Sequence, residues 1–468
     1  MKKSKRSKKW SSILVLFFLC VAGAQFIRPR IDNPAVTEDL QAPAGLKQVL
    51  KRSCYNCHSN ETSLAWFDQL TPANWLVAGH IREGRKVLNF SNWDSLTKDQ
   101  QKAKLFASLY QAEYDGMPLS QYTMFHPDAK ITGQDIAVFK TYLSTLTPGI
   151  YSDTAKARAG ELQYKKWIQA SGGPYAAGPP GAGSPGLTVS GVAILPEFNG
   201  IGYIPGFRDW EAISTTERFD NGTLRLILGN DVAVRAIKEQ HTNPWPDGAI
   251  FAKVAWDQAN DSSGMVHAGE FKQVEFMIKD KHKYASSEGW GFGRWVKGLS
   301  LVPYGKDANF VTECVNCHRP MKDNDFVFTM PIHPLQAIAP DSLAPNPLAG
   351  KVISTIVDKR NKTMSTLYGN EITLKATRTG IPAGYPPGSI LSLVTWHQKE
   401  DIHYFGANIP GLVASVEQLV FGTDLQKASS PSYAVYEGLP LRKSAEPEAG
   451  RVKTRTAWIM DQRASVMP

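Results

Sequence analysis

Four of the five cysteines in this 468-residue chain lie in two copies of Cys-x-x-Cys-His, at Cys54-Tyr55-Asn56-Cys57-His58 and Cys314-Val315-Asn316-Cys317-His318. Two thiols at this spacing both reach the vinyl groups on one edge of a porphyrin, and the histidine that comes next lies under the iron as an axial ligand. A zinc site needs a second cysteine pair roughly 15–20 residues away, whereas these two pairs are in opposite halves of the chain. Redox dithiols or disulfides leave unexplained a histidine in the fifth place twice. The reading is two covalently bound haem c groups, with His58 and His318 ligating iron.

Haem attachment of this kind takes place outside the cytoplasm, and the start of the chain agrees. Six of the nine net positive charges fall on Lys2, Lys3, Lys5, Arg6, Lys8 and Lys9, ahead of an apolar run from Ile13 to Ala24 that ends in Ala22-Gly23-Ala24. This is the pattern of an export signal cleaved after a small residue. An uncleaved N-terminal membrane tether is the alternative, over residues 1–27. Cys20 reads as one more apolar residue of that run. The remaining charge is modest, with no basic stripe, so no nucleic-acid partner is expected.

The elements that position the first motif are helical. Leu46, Val49 and Leu50 repeat at helical spacing straight into Cys54. Further helical stretches run over residues 72–88, 100–110 and 133–146, giving a small all-α, cytochrome c-like domain over 35–150. Its second axial ligand is expected from the loop at Gly116-Met117-Pro118, where a thioether precedes proline. His80, Met124 and His126 are the alternatives. Residues 151–190 read as a Gly/Pro-rich linker, densest from Ser171 to Ser190.

Beyond residue 190 the chain contains a repeat at a constant offset. Ile213-Ser214-Thr215 returns as Ile353-Ser354-Thr355, Gly229-Asn230 as Gly369-Asn370, and Val254, Trp256 and Gln258 as Val394, Trp396 and Gln398. Slightly later Val274-Glu275 answers Val416-Glu417. Each copy reads as strand, strand, short helix, strand, strand, with Asn230 or Asp231 capping the helix. Two related α+β, mainly antiparallel β domains are expected, at 191–335 and 345–468, and only the first has a haem motif. In the strand from Ala249 to Trp256 the polar residue is Lys253, and its counterpart is Leu393. A buried ammonium is costly unless compensated. In the copy with a haem, the lysine is expected to reach the porphyrin edge. His397 and His403 of the second copy read as surface or packing histidines, and that copy as structural.

Two resemblances extend this reading. The stretch from Cys54 to Lys130, with His80-Ile81-Arg82-Glu83-Gly84-Arg85 and Met117-Pro118-x-x-x-Tyr122, resembles the bacterial "haem-binding domain" family, which implies electron transfer. Asp247 to Lys253, Trp290-Gly291-Phe292-Gly293-Arg294-Trp295, Cys314 to His318 and Asp325-Phe326-Val327-Phe328-Thr329 together resemble cytochrome P-460. That resemblance implies a mostly antiparallel β fold with one c-type haem, His318 as proximal ligand and an open opposite face. It also implies a covalent bond between Lys253 and the porphyrin, oxidation of hydroxylamine, and homodimer-like pairing, here between the two repeats. The family's carboxylate over the open face falls by position on Asp307.

The expected function is that of an exported, periplasmic diheme cytochrome. The haem at Lys253, Asp307 and His318 oxidises hydroxylamine or a related small nitrogen species, and the His58/Met117 haem relays electrons to a periplasmic acceptor. Nitric oxide binding or detoxification, or electron transfer without hydroxylamine turnover, is the alternative.

Overall fold

The computed structural model describes residues 15–16, 19–146, 154–171, 188–189, 192–332, 343, 345–379, 384–423, 431–445 and 447–468. The charged start of the chain and most of the stretch from 171 to 190 lie outside the described residues. Among the described residues, no helix is long and apolar enough to cross a membrane. The chain folds as two units, Met1–Thr147 and Pro148–Pro468.

The first unit is helical: α1 (Ala44–Ser53), α2 (Tyr55–His58), α3 (Ala73–Val87), α4 (Lys98–Glu113), α5 (Ser120–Phe125) and α6 (Gly133–Thr145). Capping boxes fix where α4 and α6 begin. Thr97 and Thr132 each accept a hydrogen bond from the third helical N–H, and the side chains of Gln100 and Asp135 reach back to the cap. α1 buries Leu46, Val49 and Leu50 and packs on α6, which buries Phe139 and Leu143. The haem motif comes straight after α1, with Tyr55 stacked on the fully buried Phe90 at 5.1 Å.

The second unit begins with α7 (Thr154–Ser171), within the segment expected to be a linker. Trp167 is buried, and Gln163 donates to Phe271 O (3.1 Å) and accepts from Phe271 N (2.6 Å), so the helix is docked on the sheet. A Cβ on Gly160 would come within 2.9–3.0 Å of the Gly269 backbone, so two glycines allow this close approach. The linker expectation is corrected for residues 154–171, which form a helix docked on the sheet, with Gly160 at the helix–strand contact.

A short hairpin, β1 (Thr188–Val189) with β2 (Val192–Ala193), precedes the main sheet. The first repeat then supplies β3 (Glu211–Arg218), β4 (Thr223–Gly229), α8 (Asp231–Lys238), β5 (Ile250–Asn260) and β6 (Met265–Lys279). It continues with β7 (Trp290–Val296), β8 (Val302–Pro303) and α9 (Asn309–His318), the helix of the second haem motif. The second repeat supplies β9 (Lys351–Asp358), β10 (Thr363–Gly369), α10 (Glu371–Thr379), β11 (Ile390–Glu400) and β12 (Ala407–Val420). It ends with β13 (Ser432–Glu437), β14 (Arg442–Lys443) and α11 (Ala449–Met460).

The strands run antiparallel in the order β11-β10-β9-β6-β5-β4-β3-β12, and β12 pairs back with β11. The two repeats are therefore halves of one closed eight-stranded barrel. This corrects the expectation of two separately cored domains. Each four-stranded half has two open edges, and the seams β6–β9 and β12–β3 pair them off. Trp256 and Trp396, both fully buried, share a single core.

The halves match in detail. Both inner hairpins shift register on either side of the tryptophan, at Trp256 and Trp396. A Cβ on Gly269 would meet Asp257 O at 2.9 Å, and one on Gly411 would meet its counterpart, His397 O, at 2.9 Å. Asn230 caps α8 and bonds Gly248 O (2.8 Å) and Ile250 N (3.0 Å), while Asn370 caps α10 and bonds Gly388 O (2.7 Å) and Ile390 N (3.3 Å).

Candidate haem sites

In the helical unit, α3 ends beside the first motif. His58 Nδ1 meets two carbonyls at the end of this helix: it lies 3.0 Å from Gly84 O, which also accepts the Leu88 N–H (2.9 Å), and 3.1 Å from Leu88 O of the C-cap. With Nδ1–H so donated, Nε2 keeps its lone pair for a metal, as in most iron- and zinc-bound histidines. Burial also lowers the His58 pKa and favours the neutral ring. A Cβ on Gly84 would come within 2.7 Å of Cys57 O, so the glycine permits α3 to lie against the motif. Arg85 then ties the motif down by donating to Ser59 O (2.7 Å) and Thr62 Oγ1 (2.9 Å), and Asn56 donates to Tyr122 Oη (2.7 Å).

Of the ligands expected opposite His58, His126 is engaged elsewhere. Its Nε2 lies 3.1 Å from Asp68 Oδ1, and its ring stacks on Tyr122 at 4.2 Å. His80 is half-buried on α3, and Met124 is well exposed on α5. Met117 lies in the loop between α4 and α5, at the surface, with its N–H bonded to Gln111 O (3.0 Å).

In the barrel unit, α9 brings Cys314, Cys317 and His318 to one cavity of about 360 Å³. The segment after α9 turns through two left-handed residues, Asp325 (φ 45°) and Phe326 (φ 65°). Asp325 is buried and held by Lys279 Nζ (2.7 Å) and Trp245 N (2.8 Å). This bend aims Phe326 O at His318 Nδ1, 2.7 Å away, and again leaves Nε2 for a metal. Burial lowers the His318 pKa to about 4, so the ring is neutral at ordinary pH. Burial likewise pushes the Cys314 thiol up to about 12, unlike the activated thiol of a redox pair.

Lys253 lines the same cavity from β5. Its Nζ lies 2.5 Å from Glu275 Oε2 on the neighbouring strand, and Arg294 Nε lies 3.3 Å from Oε1 of that carboxylate. Burial lowers the Lys253 pKa to about 8 against the pull of Glu275. Burial would raise Glu275, but Lys253 and Arg294 outweigh it and hold the carboxyl at about 2. The wall also includes Phe251, Phe292 and Phe328, together with the guanidiniums of Arg218 and Arg225. A motif pair of thiols, a neutral imidazole with one fixed nitrogen, aromatic walls and a cationic lining fit a c-type haem.

Asp307 does not line this cavity. It is exposed ahead of α9, where Oδ1 accepts from Asn309 N (2.9 Å) and so serves the helix start. The carboxylates that do line it are Glu275, Glu313 and Asp401. Asp401 and Tyr404 come from the β11–β12 turn of the haemless half, which by sequence reads as structural. His403 of the same turn is a packing histidine: it is half-buried, and its Nδ1 lies 2.8 Å from Phe328 O. The repeat held the signal for several missed residues. Arg218, Arg225 and Phe251 stand where the second copy has Asp358, Ser365 and Leu391.

Fold and sites together define a haem protein with a helical haem unit ahead of an antiparallel β-barrel. Comparison with protein families gives the particular kind: residues 19–145 match the haem-binding domain and residues 204–329 match cytochrome P460. The chain thus carries a haem-binding domain followed by a cytochrome P460 domain, whose match ends before the second half of the barrel. No curated protein matches the chain.

Proposed function

We propose that this is an exported diheme c-type cytochrome whose barrel haem oxidises hydroxylamine or a related small nitrogen species. The observation that carries this reading is the position of Lys253 on the wall shared by Cys314, Cys317 and His318. When bound, the haem supplies a one-electron centre with an exchangeable coordination position. The chain's own residues do the rest. Cys314 and Cys317 anchor the porphyrin, His318 is oriented by Phe326 O, and Lys253, with an amine pKa brought toward neutrality, bonds the porphyrin edge. The second haem, held by Cys54, Cys57 and His58 and closed by Met117, relays electrons to a periplasmic acceptor. We read the haemless half as a P-460-like repeat that takes the place of a second subunit. Purified protein given hydroxylamine and an electron acceptor turns over well above a Cys317→Ala control; equal rates would reject the enzyme reading.

One observation favours a second reading. The ion pair of Lys253 with Glu275 satisfies the ammonium without any porphyrin bond. In that case the open haem binds nitric oxide tightly without hydroxylamine turnover.

A further inference from the structure

The two hairpin turns that cross the seams of the barrel are equivalent but unequal in length. In the first half, Asp261 N donates to Met265 O (2.9 Å), and Asp261 Oδ1 accepts from Ser263 N (2.9 Å). In the second half, Asp401 N donates to Ala407 O (2.9 Å), and Asp401 Oδ1 accepts from His403 N (2.9 Å). Each turn also receives the opposite half's β-turn: Lys359 N donates to Gly264 O (3.2 Å), and its counterpart Phe219 N donates to Gly406 O (3.0 Å). The second turn is two residues longer, which is why the repeat offset grows between Gln258/Gln398 and Glu275/Glu417.

The longer turn reaches the haem cavity of the other half. Tyr404 lies under the Arg218 guanidinium at 3.8 Å and donates to Asp220 Oδ2 (3.4 Å), while Arg218 Nε bonds Asp220 Oδ1 (2.6 Å). His403 pins the turn to Phe328 O beside the haem motif. So clamped, the turn presents Asp401, half-buried, to the cavity. The other two lining carboxylates are poor proton acceptors. Glu275 is paired with Arg294 whether or not Lys253 is bonded to the porphyrin, and Glu313 is exposed on α9.

We infer that the haemless half completes the reactive site, with Asp401 as the carboxylate that accepts a proton from the N–H or O–H of a ligand bound in the cavity. The inference rests on the open-haem reading. The proton passes to Asp401 and on to water, and the ligand is left as its conjugate base. Arg218, Lys399 and His403 face Asp401 as cations or potential cations, and Tyr404 and Asp220 hold Arg218. Burial raises the Asp401 pKa despite those cations, which suits a group that must take up a proton.

Association of cyanide and of nitric oxide with the full-length holoprotein tests this. Cyanide arrives as HCN and must lose its proton to bind ferric iron, whereas nitric oxide carries no proton. Asp401→Asn, which keeps an acceptor for the His403 N–H, slows cyanide association about 10²-fold and leaves nitric oxide association unchanged. Asp261→Asn, the equivalent change in the shorter turn, leaves both rates unchanged. Asp401→Ser gives the same comparison should the asparagine variant not fold. Equal slowing of both ligands, equal slowing by Asp261→Asn, or no slowing of cyanide would overturn the inference. A wild-type protein that binds neither ligand would overturn the open-haem reading and this inference with it.

Discussion

Across one face of the first half-barrel, directly opposed residues on successive strands read Ser214, Ile227, Lys253, Glu275 and Arg294. The same row in the second half reads Ser354, Leu367, Leu393, Glu417 and Val435. The glutamate is common to both, but its charge is met differently. In the first half, Lys253 and Arg294 neutralise it from its own sheet, on the wall of a cavity. In the second, Arg455 of α11 bonds Glu417 at 2.7 and 2.8 Å, and Tyr433 donates to it at 2.5 Å. A helix thus lies over the second half where the first keeps an open space. One row of strand partners became a ligand site by holding its counter-charges in the sheet, and the other became packing by taking them from a helix.

The largest way to break this contrast is to give the first half the residue of the second. In the haem-free protein, where Lys253 carries its charge, Lys253→Leu leaves Glu275 with one cation fewer in a buried setting, and removing one member of a buried pair costs about 3 kcal/mol or more. Urea unfolding monitored by circular dichroism reads this loss, and the double change Lys253→Leu/Glu275→Leu recovers most of it. The pH dependence tracks the same pair. The Glu275 carboxyl lies at about 2, below its ordinary 4.5, so its contribution is present above about pH 4.5 and disappears as pH falls toward 2. In Lys253→Leu the Glu275 carboxyl loses the cation that lowers it most, so the acid-side loss of stability from this group is smaller. The smallest effect sharpens the likeness of the halves. Asn230→Ala and Asn370→Ala each remove a helix cap worth about 1 kcal/mol, and because each asparagine bonds the same three backbone positions, their losses in urea unfolding match to within a few tenths.

Much of this was legible in the sequence because it rests on local chemistry. The two Cys-x-x-Cys-His motifs, the helix leading into Cys54, a helix cap at Asn230 or Asp231 and the singular Lys253 all come from spacing or from comparing the repeats. The closure of the barrel was not legible, since nothing in either copy states which edge its strands pair with. For that reason the haemless half reads by sequence as a separate domain, in which Asp401 and Tyr404 do not stand out. Asp307 was misassigned because sequence position gives distance along the chain and not direction, and its side chain is used at the start of α9. Glu275 was visible only as a repeat marker, because its partner Lys253 lies on the neighbouring strand, across the hairpin.

The most direct test of the proposed site is mass spectrometry of haem peptides from the intact protein. Two haem-bearing peptides are expected, one with Cys54 and Cys57 and one with Cys314 and Cys317, the second joined through its porphyrin to the peptide containing Lys253. Recovery of the Lys253 peptide free and unmodified, or of a protein with haem on only one motif, would contradict the proposed site.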